Sequence, residues 1–140
     1  MCPESPPDFE EIEHTADWAL RINGANLEAL LVNAARGMAS LVVDQPERVG
    51  TEIERQIALE AIDAETLLVD WLSELAYWLE TEQILFHQSE LTEVSPTRLT
   101  GAVQGGRVPD LRKHIKAVPY HGLEITPTAS GLTATVVFDV

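Results

Sequence analysis

Cysteine is almost missing from this chain: Cys2 is the single one among 140 residues. With no second thiol there is no intramolecular disulfide, and a thiolate metal site or redox centre has nothing to build on. Positive charge is the other scarcity, with 9 Lys or Arg against 23 Asp or Glu and a formal net charge of −14. Affinity for a phosphate backbone comes from Lys and Arg displacing condensed counterions, so direct strong nucleic-acid binding is not expected. No uninterrupted apolar run approaches the roughly 18 residues that span a bilayer, and the acidic, proline-rich start is unlike a signal peptide. No membrane role and a cytoplasmic home are therefore expected. Two catalytic signatures are also lacking. Gly101, Gly105 and Gly106 open no helix that would present amides to a phosphate, and are read instead as hairpin-turn residues. No G-x-S-x-G elbow occurs, and Ser130-Gly131 reads as a turn. Without a nucleophile and matched base, a helper role is expected rather than an enzyme.

The shortage of basic residues is uneven: residues 1–96 hold 20 acids against 4 bases, and residues 97–140 hold 3 against 5. Arg107, Arg112, Lys113 and Lys116 make the second part weakly basic. Asp110 interrupts them, which favours a solvated surface over a dedicated patch.

What is present is a globular composition, 45% hydrophobic, of a length suited to a single core. The three prolines between Cys2 and Pro7 suggest a flexible leader over residues 1–8, with a single domain over 9–140. Trp18, Leu20 and Ile22 alternate with Ala19 and Arg21 as in a half-buried strand that ends at Asn23-Gly24. Asn26 is suited to cap a first helix, on which Leu27, Leu30, Leu31, Ala34, Met38 and Leu41 recur at helical spacing to about Val43. Ile53, Ile57 and Leu59 share one parity of an edge strand. Asp63 caps a second helix whose stripe runs Leu67, Leu68, Trp71, Leu72, Leu75, Trp78 and Leu79. Its tryptophans read as core, because large aromatics at this spacing pack. Strands are predicted at Ile84 to Val94, Leu99 to Gln104, Ile115 to Val118 and Leu123 to Ile125. In Leu132 to Val140, Leu132, Ala134, Val136 and Phe138 share one face and Asp139 the other. Two helices among hairpin-compatible strands imply an α+β domain, one layer of helix on one mixed, largely antiparallel sheet.

Chemistry has few places to reside. Asp17 precedes one strand, and Asp139 with the Val140 carboxylate closes another. If those ends met, three anionic oxygen groups would converge, and such a set either shares a proton or takes a cation. All-oxygen donors select Ca²⁺ or Mg²⁺ over zinc. An Asp at a strand entrance usually bonds its own amides, and one near a terminus is usually just solvated, so spacing alone favours those readings over a metal. His14 and His121 could each act as acid, base or ligand, yet a single His near a turn is more often a structural hydrogen-bond donor.

Read in order, His14-Thr15-Ala16-Asp17 with Gly24, then Leu67-Leu68-Val69-Asp70-Trp71-Leu72 with Leu75, then Lys116-Ala117-Val118 with Tyr120-His121, and finally Phe138-Asp139-Val140 resemble the archease pattern from about Phe9 onward. The resemblance implies a strand-helix-strand-strand α+β fold and a role as activator of the tRNA-splicing RNA ligase. That ligase joins 2′,3′-cyclic phosphate or 3′-phosphate ends to 5′-hydroxyl ends of RNA. The activator promotes guanylylation of the ligase's active-site histidine and its multiple turnover. The resemblance also implies a calcium-type site at Asp17, Asp139 and Val140, and marks His14, Lys116, Tyr120 and His121 as partner or proton-transfer contacts. Gly106-Arg107, Pro119 and the short loop before Lys116 depart from the family's usual Gly-Glu, Thr and longer loop. Two further readings are a small metal-dependent phosphoester hydrolase, using Asp17, Asp139 and a histidine, and a metal-free acidic adaptor.

Overall fold

The computed structural model describes residues 7–13, 18–111, 113–118 and 123–139. Among the described residues, two helices and seven strands follow in the order β1 (Phe9–Glu13), β2 (Trp18–Gly24), α1 (Leu27–Val42), β3 (Ile53–Glu60), α2 (Ala64–Glu82), β4 (Ile84–Ser95), β5 (Arg98–Arg107), β6 (Ile125–Thr128) and β7 (Gly131–Phe138), with a 3₁₀ turn at Pro46–Arg48.

Both helices start where a side chain supplies the missing acceptor. Asn26 Oδ1 accepts from Ala29 N at 2.8 Å, and Asp63 Oδ1 accepts from Thr66 N at 2.8 Å. The bonds from Thr66 hold the Asp63 carboxyl below its usual range. The apolar stripes bury Leu30, Leu31, Ala34, Met38 and Leu41 from α1 against Leu67, Leu68, Trp71, Leu72, Leu75 and Leu79 from α2. Trp71 is wholly enclosed, and its indole N–H donates to the Leu31 carbonyl at 2.8 Å, which ties the two helices together. Trp78 meets Phe86 edge-on at 5.1 Å. The tryptophans are packing residues, as their spacing predicts.

The α+β class stands. The expected single sheet is divided: β1-β2-β7-β6 form one sheet and β3-β5-β4 another, and every pairing among the described strands is antiparallel. Helix α1 is common to both, packed on β2 and β4, whereas α2 packs on the second sheet, chiefly on β4. β3 is an edge strand, as expected, and Arg55 on it makes a two-pronged contact with Glu82 of α2 at 2.8 and 3.0 Å. Its guanidinium also lies over the Trp78 and Phe86 rings. The bond from Arg55 lowers the Glu82 pKa and raises that of Arg55 in turn.

Gly105 and Gly106 are not a turn. They lie inside β5, opposite Phe86 and Leu85. A Cβ on Gly105 would collide with the Leu85 carbonyl, and one on Gly106 would come within 2.9 Å of the Gly50 carbonyl oxygen. Both glycines therefore permit close backbone approach, and a glycine pair reads the same for a close approach as for a turn. The strand expected at Ile115 to Val118 is reduced to an isolated bridge, Ala117 with Asp139. The strand expected at Leu123 to Ile125 lies further on, at Ile125–Thr128. Of the expected leader, residues 1–6 lie outside the described residues. Pro7 and Asp8 are held, the first by Asn23 Nδ2 at 2.7 Å and the second by Arg36 at 2.8 Å.

Candidate functional site

The end of the first sheet at which β2 begins and β7 ends is where three chain segments converge. Burial of Ala134, Val136 and Phe138, alternating with Thr135 and Val137, sets the register of β7, since a slip by one residue would turn these side chains outward. In that register Trp18 pairs with Phe138. Just past Phe138, Asp139 forms a bridge to the third segment: its N–H donates to the Ala117 carbonyl at 3.0 Å, and its carbonyl accepts from Lys116 N at 2.7 Å and Ala117 N at 3.3 Å. The main chain of Asp139 is thereby committed, while its side chain remains exposed.

Helix α2 fixes the third segment. One oxygen of Glu80 accepts from Ile115 N at 2.8 Å, and the other contacts His114 Nδ1 at 3.1 Å. Ile115 and Val118 enter the core on either side of the bridge. Lys113 reaches across to β2, where its ammonium lies 3.6 Å from the centroid of the Trp18 ring. Sequence reasoning missed both the Glu80 anchor and the Lys113 contact. They join residues far apart in the chain, and neither has a local period or motif by which to be found.

Of the predicted site residues, Asp139 and Lys116 are brought together, through the main chain. Asp17, Val140, His14, Tyr120 and His121 lie outside the described residues, as do Arg112 and Pro119. Among the described residues no group of three or more His, Cys, Asp or Glu is placed to hold an ion. The exposed Asp139 carboxylate suits a hard cation, and Lys113 and Lys116 are positive charges near the same strand end. The Arg107 guanidinium is turned to the Glu82 carbonyl at 3.5 Å. No helix among the described residues is long and apolar enough to cross a membrane.

Residues 9–140 match the profile of the Archease protein family (MTH1598/TM1083). The chain is 36% identical over 146 residues to the protein archease of Methanosarcina mazei, covering 99% of each. It is 33% identical to that of Archaeoglobus fulgidus, over 94% of this chain and 98% of the other. The solution structure of protein 1598 from Methanobacterium thermoautotrophicum superposes with a TM-score of 0.78 at 31% identity, over 95% of this chain and 99% of the other. A crystal structure from Thermotoga maritima, titled an archease and possible chaperone, shares the fold with a TM-score of 0.63 at 23% identity over both whole chains.

Proposed function

This chain belongs to the archease family, and from that membership we propose that it is a protein activator of the tRNA-splicing RNA ligase, not an enzyme itself, acting in the cytoplasm through its 9–140 domain. In this reading it promotes guanylylation of the ligase and lets the ligase turn over repeatedly, while the ligase carries the nucleotide and RNA chemistry. The observation that best supports it is the convergence of β2, β7 and the 113–118 segment at one strand end. That is the end to which the family likeness assigns the working residues. With a net charge of −14, the chain is suited to a basic protein surface and poorly suited to RNA.

Asp17, Asp139 and Val140 would hold a calcium or magnesium ion, an all-oxygen set that excludes softer metals. When bound, such an ion supplies local positive charge and fixes the orientation of the acids around it. The chain's own part is positional. The Ala117–Asp139 bridge holds the Asp139 backbone, Glu80 holds the segment that carries Ala117, and Lys113 braces that segment on Trp18. Lys116, and with it His14, Tyr120 and His121, would face the ligase or move a proton there.

The test is multiple-turnover RNA ligation by a matched ligase, with and without this protein. Turnover should rise on its addition, and Asp17→Ala or Asp139→Ala should remove about nine-tenths or more of the gain, the loss expected when a group is needed for a step and not merely for folding. Circular dichroism should show both variants folded. An unchanged ligation rate with wild-type protein would count decisively against the activator role. Phosphatase and nuclease activity with added Mg²⁺ would favour the hydrolase instead, and full activation by Asp139→Ala would favour the metal-free adaptor.

A further inference from the structure

A second concave site lies toward the opposite end of the β1–β2 hairpin. Phe9 at its rim pairs with Ile22, about 13 Å along β2 from Trp18 at the rise of a strand. The cleft, of about 630 Å³, runs between α1 and β4 and lies within the size range of small-molecule sites.

Its wall contains a buried histidine set by a bulge. Phe86 pairs with Gly105 and Gln88 with Gln104, so His87 is the extra residue of β4. Bulges of this kind re-aim a side chain, and they recur beside functional sites. His87 is only 9% exposed, and its Nε2 lies 3.0 Å from the Gly50 carbonyl. A carbonyl only accepts, so Nε2 carries the hydrogen, and in the neutral ring Nδ1 is left as an acceptor. Nδ1 has no hydrogen-bond partner among the described residues. No enclosed side-chain polar atom among those residues is unpaired, so Nδ1 is not sealed off, and His87 lines the cleft.

The charges around it are mostly negative. Asp44, Glu47 and Glu90 line the cleft against one lining cation, Arg36, which pairs with Asp8 at 2.8 Å and with Asn33 Oδ1 at 3.2 Å. Phe9, Val32 and Ala39 add an apolar wall. Phosphates and carboxylates would be repelled here. A donor-rich cation with a hydrocarbon body is matched on both counts. We propose that this cleft binds an alkylammonium ligand of the polyamine class, with one ammonium donating to His87 Nδ1, the carboxylates neutralising it, and the methylene chain against Phe9, Val32 and Ala39.

Spermidine, titrated into the full chain at near-physiological salt and followed by amide and histidine NMR shifts, tests this. Saturable one-to-one shifts are expected, confined to residues 36–47 and 87–90 and the His87 ring. Ser40→Phe fills the cleft without changing its charge and should weaken binding about tenfold or more. Should that variant fail to fold, the combined Glu47→Gln and Glu90→Gln change decides by the same measure. Shifts spread across the acidic surface, the same shifts with Mg²⁺, or undiminished binding by the cleft variant would overturn the proposal.

Discussion

Trp71 carries more of the fold than its single position suggests. It fills the contact between α1 and α2, and it spends its one polar atom on the Leu31 carbonyl. Replacing it with Phe removes both the second ring and the donor, leaving a void and a weakened polar contact in a dry site. Trp71→Phe is expected to destabilise the protein by about 2 kcal/mol, from the combined cost of cavity and lost hydrogen bond. Urea unfolding with an unchanged slope would measure it. A cost near zero would mean that the two helices close over the gap. His87 differs from Trp71 in that one of its polar atoms is left for something else, which is why the cleft, and not the core, is its setting.

At the scale of elements, α2 ends with a departure from the usual chemistry. Gln83 adopts φ 58° and ψ 36°, the left-handed conformation that glycine occupies without steric cost. The geometry is held because Gln83 N–H donates to the Leu79 carbonyl at 3.0 Å while its own carbonyl accepts from Val108 at 2.8 Å. The cap thus joins the end of α2 to the end of β5. Gln83→Gly should keep both main-chain bonds and relieve the strain, raising stability by roughly 0.5 to 1 kcal/mol once the extra freedom of the unfolded glycine is counted. Thermal unfolding checks the sign. A loss would show that the Gln83 side chain contributes a contact worth more than the strain.

Across the whole molecule, the legible features were those written in local periods. Both helices and their caps at Asn26 and Asp63 were readable, because capping and a 3.6-residue stripe depend on neighbours only. So was β7, whose alternation survives intact. The division into two sheets was not readable, because which strand β5 or β2 chooses as a partner depends on how α1 and α2 fill the space between them. β1, with three glutamates in five residues, has too little apolar pattern to announce a strand. At the candidate site the sequence pointed to Asp139 and Lys116, and only folding could add Ala117, Glu80 and Lys113. The cleft around His87 is not legible in the sequence, because a bulge is a defect of register, and register has no existence until two strands pair.

The ammonium of Lys113 against Trp18 gives the convergent strand end an optical readout. Of the chain's three indoles, Trp71 is sealed in the core and Trp78 is wedged against Phe86 and Arg55, so Trp18 is the one whose surroundings change when charge is added at that end. Calcium titrated into the protein should shift or quench intrinsic emission along a saturating curve that chelator reverses, and Trp18→Phe should erase the signal. Lys113→Ala should brighten or dim the baseline before any ion is added. An emission spectrum indifferent to both the ion and the lysine would mean that whatever gathers at this strand end does so without disturbing the ring beside it.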